Sequence, residues 1–135
     1  MKYRIVERKD NDGKPYYKVQ QKFLFFWMGF MMDNVIRLSS GESTVNQYFY
    51  QFDSKERAEA ALKRSMQWRE YKGFSLYPTI EDNVYYSDKL SYRNERMGWR
   101  EYKIFGTYEE CCAKIDRYFE ERANKKRKKI FPIDI

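Results

Sequence analysis

A strand that runs directly into a capped helix occurs twice in this chain of 135 residues. The first copy consists of the aromatic segment 48–52 and a helix that starts after Ser54, and the second of segment 102–105 and a helix that starts after Thr107. Serine and threonine are preferred helix N-caps because their hydroxyl accepts a hydrogen bond from an exposed backbone N–H. The repetition predicts an α+β fold built from two small antiparallel sheet-plus-helix halves.

The two units match beyond their caps. Phe52 corresponds to Phe105, and Leu62 corresponds to Ile115. One interpretation is a structural duplication, and the other is chance, because strand–cap–helix joints are common. The predicted division of the chain is a hairpin, third strand and helix in 1–76, a second sheet-plus-helix half packed on the first in 77–124, and a basic then apolar tail in 125–135.

The local elements follow from periodicity. Segments 2–8 and 16–23 alternate apolar and polar residues, which is typical of strands, and Asp12-Gly13 between them favours a tight turn. A β-hairpin is therefore expected. The first helix is predicted over 55–71, with Gly73 as its stop, and the second is predicted to end near Ala123. Segment 34–47 is expected to contain a loop, 77–83 to link the halves, and 84–86 to pair with 90–93.

The alternation stops at the aromatic run 23–32, where Phe23 to Met28 are apolar on both faces of a strand. This run is expected to be core; the alternative is a protein-binding patch, because large exposed apolar patches mark interfaces. The apolar end of the chain is expected to dock on the body or on a partner. The candidate interface residues are Phe25, Phe26, Trp27, Met28, Phe30, Phe131 and Ile133.

The net charge of +7 is concentrated in the tail, and the rest of the chain is close to neutral. This weakens the case for a strongly basic nucleic-acid surface on the body. The tail itself could contact phosphates, although cations also favour the C-terminal end of a helix without any ligand. The candidate nucleic-acid-binding residues are Lys125, Lys126, Arg127, Lys128 and Lys129.

The sequence lacks the residues that several classes of catalysis require. The chain contains no histidine, which excludes Ser-His and Cys-His catalysis, and it carries no glycine-rich phosphate loop. Cys111 and Cys112 lie on the apolar stripe of the second predicted helix, so packing is favoured over a metal or redox role. The sequence thus predicts no enzyme activity, no catalytic residue, no metal and no cofactor.

The expected setting is the inside of a cell. The first residues are charged and resemble no signal peptide, and the longest apolar run, 23–32, is too short to span a bilayer. No membrane partner is expected. Two adjacent cysteines form no disulfide framework, which favours a reducing compartment.

Two resemblances concern the first half. Segments 3–6, 16–20 and 25–27, with Phe52 and Ser54, are similar to small uncharacterised proteins encoded by tailed bacteriophages. This implies a phage origin, with the host bacterial cytoplasm or the virion as location. It implies no mechanism, because those proteins have no agreed activity.

The order hairpin, third strand, helix also resembles plant AP2-type and phage integrase arm-binding domains, in which a three-stranded sheet reads DNA and one helix backs it. The corresponding outward residues here are Arg4, Lys18, Gln20 and Lys22. The chain departs from that pattern through a long apolar insertion between strands two and three, so DNA reading by the sheet is the less favoured interpretation.

The leading hypothesis is a non-enzymatic, phage-encoded binding protein that acts by contact with a phage or bacterial protein or by self-association. It would be a virion or accessory component, or an inhibitor of a bacterial host or defence system. One alternative is nucleic-acid binding through the basic tail. Another is sequestration of a small nucleotide in a pocket of Tyr and Arg, since aromatic rings and cations suit such a ligand.

Overall fold

The computed structural model of the chain describes residues 2–38, 41, 43–96, 98–128 and 133. Within these residues the elements are β1 (Tyr3–Lys9), β2 (Pro15–Phe23), β3 (Phe26–Gly29), β4 (Met32–Arg37), β5 (Ser43–Tyr48), α1 (Lys55–Ser65), β6 (Arg69–Tyr71), β7 (Phe74–Pro78), β8 (Tyr85–Tyr86), β9 (Tyr92–Asn94), β10 (Trp99–Glu101), β11 (Phe105–Gly106) and α2 (Tyr108–Lys128). They confirm an α+β fold with antiparallel sheets of order β1-β2-β3, β4-β5, β11-β8-β7-β6 and β10-β9. No helix in this part of the chain is both long and apolar enough to cross a membrane.

The predicted N-terminal hairpin is confirmed. β1 and β2 pair antiparallel from Tyr3 opposite Gln21 to Lys9 opposite Pro15. The turn is held by Asp10, whose carboxylate accepts hydrogen bonds from two backbone N–H groups of the loop, and by Gly13, whose φ of 78° suits a residue without Cβ. Helix α1 packs on one face of this sheet.

Two apolar clusters form the core. The first joins the sheet β1-β2-β3 to α1 and β4, and its fully buried members are Val19, Met32, Ala58 and Ala61. The second joins the sheet β11-β8-β7-β6 to α2, and its buried members are Phe74, Leu76, Ile104, Cys111 and Ile115. Each helix therefore buries its apolar stripe against its own sheet, as the periodicity of α2 predicted.

Both predicted helix starts are confirmed by their capping bonds. The Ser54 hydroxyl accepts a hydrogen bond from the Arg57 backbone N–H at 3.1 Å. At α2, the Thr107 hydroxyl accepts from the Glu110 N–H at 3.1 Å, and the Glu110 carboxylate accepts from the Thr107 N–H at 3.4 Å. This reciprocal pair is the capping box.

The predicted helix ends are wrong. Helix α1 stops at Ser65, and Arg69–Tyr71 forms a strand that pairs with β7 across a two-residue turn of Lys72 and Gly73. Both turn residues have positive φ, 48° and 82°, so Gly73 serves a hairpin and not a helix terminus. This hairpin brings Phe74 and Leu76 of β7 into the core. Helix α2 continues five residues past the predicted end at Ala123, to Lys128.

Other strand predictions also need correction. In the predicted second unit, Phe105 lies in β11, but the rest of segment 102–105 lies in no strand. Segment 48–52 is not a strand: β5 ends at Tyr48, and Phe52 forms only an isolated bridge with Tyr17. The residues on either side of the loop expected within 34–47 form the β4–β5 hairpin, with Arg37 paired with Ser43.

The remaining error concerns the region between the halves. The expected linker begins inside β7, where Pro78 and the following Thr79 are buried. β8 pairs with β7 and β11, while β9 pairs with β10, so the expected pairing of 84–86 with 90–93 does not occur.

The duplication is not confirmed, because the helices have 11 and 21 residues and the two main sheets have different strand numbers and orders. The division at residue 77 stays a prediction. Polar contacts join the two sides of that division: the Tyr86 hydroxyl donates to an Asp33 carboxylate oxygen at 2.6 Å, and the Thr44 hydroxyl donates to the Arg100 carbonyl at 2.6 Å.

Candidate functional site

The aromatic run forms the exposed tip of the β2–β3 hairpin. Strand β2 turns into β3 through Leu24 and Phe25 alone, since Phe23 pairs with Phe26. The expectation that this run is core is therefore wrong for its first half, because around the two-residue turn these side chains are exposed among the described residues. The exposed fractions are Phe23 50%, Leu24 70%, Phe25 95%, Phe26 53% and Met28 43%; we call these five residues the aromatic tip.

Leu24 also has an unusual backbone. Its φ is 54°, a region that bulky non-glycine residues rarely occupy because Cβ approaches the following carbonyl oxygen. Two-residue hairpins accept glycine, asparagine or aspartate at such a position far more readily. The chain therefore places a large apolar side chain in solvent at a position where its backbone is strained, a combination that packing does not explain.

Apolar exposure continues beyond the tip along β3. Gly29 allows the ring of Phe49 to approach so closely that a Cβ on Gly29 would lie 2.9 Å from it. Phe49 and Tyr48 are themselves 53% and 55% exposed. Strand β3 forms one edge of its sheet: Phe26 and Met28 of the tip lie on one face of this edge strand, and Phe49 covers Gly29 on the other face.

The predicted interface residues are thus not equivalent. Phe25, Phe26 and Met28 are exposed, and Trp27 is half-buried on the opposite face of β3. Phe30 packs against the first core cluster and makes an edge-to-face contact with Tyr3. Ile133 is 81% exposed and does not pack on the body. The remaining candidate, Phe131, lies outside the described residues.

The face of the sheet opposite α1 is basic. Alternation along β1 and β2 places four cations on it, because Arg4 lies beside Gln20, Arg8 beside Tyr16, and Lys22 beside Trp27 in the pairing register. No acidic side chain forms an ion pair with any of the four in the part of the chain that the structure describes. The residues of this basic face are Arg4, Arg8, Tyr16, Lys18, Gln20, Lys22 and Trp27.

Two aromatic–cation contacts order the basic face. The Arg4 guanidinium lies 4.3 Å from the Trp27 ring centroid, and its Nε donates a hydrogen bond to the Gln20 side-chain oxygen at 2.8 Å. The Lys18 ammonium lies 5.8 Å from the Tyr16 ring centroid. Such contacts fix a cation above a ring without neutralising its charge.

An open cavity of about 480 Å³ lies at one end of the basic face. Its floor comes from β1 and β2, and one wall is formed by Phe49 and Tyr50 as the chain passes beside Gly29. Sequence periodicity could identify the cations of this face, but Phe49 and Gly29 are brought together only by tertiary packing. The side chains that supply the charge, the polar groups and the aromatic rings of the cavity are Arg8, Tyr16, Lys18, Gln20 and Phe49.

The predicted tail site is only partly described. Lys125 and Lys126 are exposed on the last turns of α2. Arg127 and Lys128 continue the helix, and Lys129 lies outside the described residues. The structure therefore brings two of the five predicted cations to a solvent-facing helix end, far in sequence from the basic face.

Burial shifts the pKa values of three ionisable side chains in the interior of the protein. The Cys111 thiol is fully buried in the second cluster, and burial raises its pKa to about 12, so it stays a neutral thiol. Burial also raises the pKa of Asp33, an effect that the hydrogen bond from the Tyr86 hydroxyl opposes. For Tyr86, burial first and the Asp33 carboxylate second raise the pKa well above its ordinary value. Among the described residues, no three Cys, Asp or Glu side chains converge as metal ligands.

Comparison of the chain with protein-family models, with curated proteins and with solved structures finds no match.

Proposed function

We propose that this protein is a non-enzymatic binding protein that attaches to a partner protein through its aromatic tip. The observation that carries the proposal is Phe25, which is 95% exposed beside a strained, 70% exposed Leu24. Complete burial of one large apolar side chain contributes about 1.5–3 kcal/mol, so the five tip residues offer a strong anchor for a complementary groove. Aromatic residues and methionine are enriched at such interfaces.

The shape of the exposed apolar area favours a protein over a lipid surface. The tip lies at the end of the edge strand β3, and Phe49 adds exposed apolar surface on the opposite face of the same strand. A partner can use such an edge by adding a strand to it while its pockets receive alternate side chains. The similarity to small tailed-phage proteins supports a phage or bacterial partner, with a virion, accessory or inhibitory role.

The test compares the wild-type chain with Phe25→Ser in a quantitative capture experiment from bacterial lysate, followed by titration of the captured partner after its purification. We expect saturable binding that Phe25→Ser weakens at least ~10-fold. The matched control is Trp68→Ser, because Trp68 is also an exposed aromatic residue, 56% exposed, but lies away from the hairpin. Both variants should keep the wild-type melting temperature within a few degrees.

Two further measurements separate the alternatives. Light scattering over a range of protein concentrations would reveal a dimer lost in Phe25→Ser, which would make the partner a second copy. Co-flotation with vesicles of neutral phospholipid that is lost in the same variant would contradict the proposal and assign the tip to membranes. Binding that Trp68→Ser weakens as much as Phe25→Ser would also contradict it.

A second candidate function, nucleic-acid binding by the tail, is supported by the exposed Lys125 and Lys126 on α2. Its test is removal of residues 125–135, which should abolish salt-sensitive binding to DNA or RNA. Unchanged binding after this truncation would refute it.

A further inference from the structure

The cavity on the basic face combines a volume suited to a small ligand with positive charge and aromatic rings. It has a volume of about 480 Å³, within the usual range for small-molecule sites. Arg8 and Lys18 supply positive charge, and Tyr16 and Phe49 supply ring faces. Among the residues that the structure describes, no carboxylate lines it.

We propose that this cavity binds a nucleotide unit of a single-stranded nucleic acid, with its base on an aromatic ring and its phosphate on Arg8 and Lys18. Every nucleobase has a π-face, so stacking on tyrosine or phenylalanine is tolerant of sequence, and a positively charged groove follows the backbone. This site is distinct from the aromatic tip and from the tail.

The basic face extends the site in one direction. From Tyr16 to Lys22 along β2 is roughly 20 Å, at about 3.3 Å per residue, which is long enough for several nucleotides. At the far end, the Arg4 guanidinium lies 4.3 Å from the Trp27 ring centroid, and this pair forms a second flat surface on which a base can stack. The basic face thus carries a cation beside an aromatic ring at each end.

The geometry favours a single strand over a duplex. The rings of Tyr16 and Phe49 border a recess. A base can enter a recess of this kind only if it is unstacked and unpaired, and duplex bases are neither. A free nucleotide shares the same chemistry as one unit of a strand, so the experiment includes both sources.

The experiment measures fluorescence anisotropy of a labelled oligothymidylate with the full-length protein, and calorimetric titration with thymidine monophosphate. If the four cations of the basic face each neutralise one phosphate, affinity should fall about 50-fold between about 50 and 200 mM salt. Tyr16→Leu should weaken binding about five- to a hundred-fold, and Tyr16→Phe should restore it because the ring returns.

A matched charge control completes the design. Lys18→Gln and Lys55→Gln remove the same charge, but Lys55 lies at the start of α1, on the side of the sheet away from the cavity. Only Lys18→Gln should weaken binding. Melting temperatures of all variants establish that each one is folded.

Each outcome either supports or overturns the proposed binding site. Binding of the monophosphate that Tyr16→Leu abolishes, without tighter binding of the strand, would support the cavity and make a free nucleotide its ligand. The proposal is overturned if neither ligand binds at low salt, if duplex DNA binds more tightly than the single strand, or if Lys55→Gln weakens binding as much as Lys18→Gln. If only removal of residues 125–135 abolishes binding, the binding site is the tail and not the cavity.

Discussion

Replacement of Leu24 by glycine tests whether the aromatic tip exists for binding or for folding. The left-handed region costs a non-glycine residue about 1–2 kcal/mol, and glycine removes that cost. Glycine also increases the entropy of the unfolded chain, which lowers the free energy of unfolding by about 0.4–1 kcal/mol. Complete burial of a leucine side chain stabilises the fold by ~2 kcal/mol. Because Leu24 is 70% exposed, its removal should cost only a small part of that amount.

These contributions nearly cancel, so Leu24→Gly should stay within about 1 kcal/mol of the wild-type free energy of unfolding. Urea denaturation followed by circular dichroism measures this difference. Leu24→Asn is a second variant, because asparagine tolerates positive φ without the extra entropy of glycine. Both variants should lose partner binding while they keep their fold.

The reasoning is refuted if Leu24→Gly and Leu24→Asn each lose more than about 2 kcal/mol, the size of loss that removal of a packed core side chain produces. Such a result would mean that Leu24 packs against something in the folded state, for example a second copy. A stability that falls with dilution in the wild type but not in the variants would identify that copy.

Three further predictions concern the core. Ile115→Ala, at a fully buried position of α2, should lower the free energy of unfolding by about 2–5 kcal/mol in the same urea assay. Tyr86→Phe should cost about 1–3 kcal/mol at neutral pH, because the half-buried Asp33 carboxylate loses its hydroxyl donor; an equal cost at pH 3 would refute this. Burial raises the pKa of Asp33, so its stabilising contribution is complete below the unfolded pKa of about 4 and is lost as pH rises through the folded pKa. Asp33→Asn should remove that decline from a series of thermal melts across pH.

Short-range chemistry explains what the sequence predicted correctly. Asp12-Gly13, Ser54 and Thr107 act within a few residues of themselves, so the first hairpin and both helix starts follow from local rules. The apolar stripe with Cys111 and Ile115 also has a periodicity that only a helix satisfies, and both residues are buried.

The errors arose where two local rules compete. Gly73 is as suitable for a hairpin as for a helix end, and the gain from burying Phe74 and Leu76 decided between them. An apolar run such as 23–28 has no periodicity, so nothing in it distinguishes a buried strand from an exposed turn. The distinction depends on the pairing of Phe23 with Phe26, which the apolar composition of the run does not reveal.

The candidate sites show the same limit. Alternation alone placed Arg4, Lys18, Gln20 and Lys22 on one face, and the structure keeps them there. The cavity needed the wall that Phe49 forms above Gly29, and no local signal connects these two positions, which lie in separate segments of the chain.

Strand β3 joins the two proposed surfaces, and this makes them separable by mutation. Its residues alternate, so Phe26 and Met28 belong to the aromatic tip while Trp27 between them faces Arg4 on the basic face. A partner that adds a strand to the edge of β3 would contact the backbone shared by both sets. The two ligands should then compete even though different side chains hold them: Phe25→Ser should leave oligothymidylate affinity unchanged, whereas saturation with the partner protein should lower it. If each ligand binds with the same affinity in the presence of the other, the partner contacts the tip alone and leaves the strand edge free.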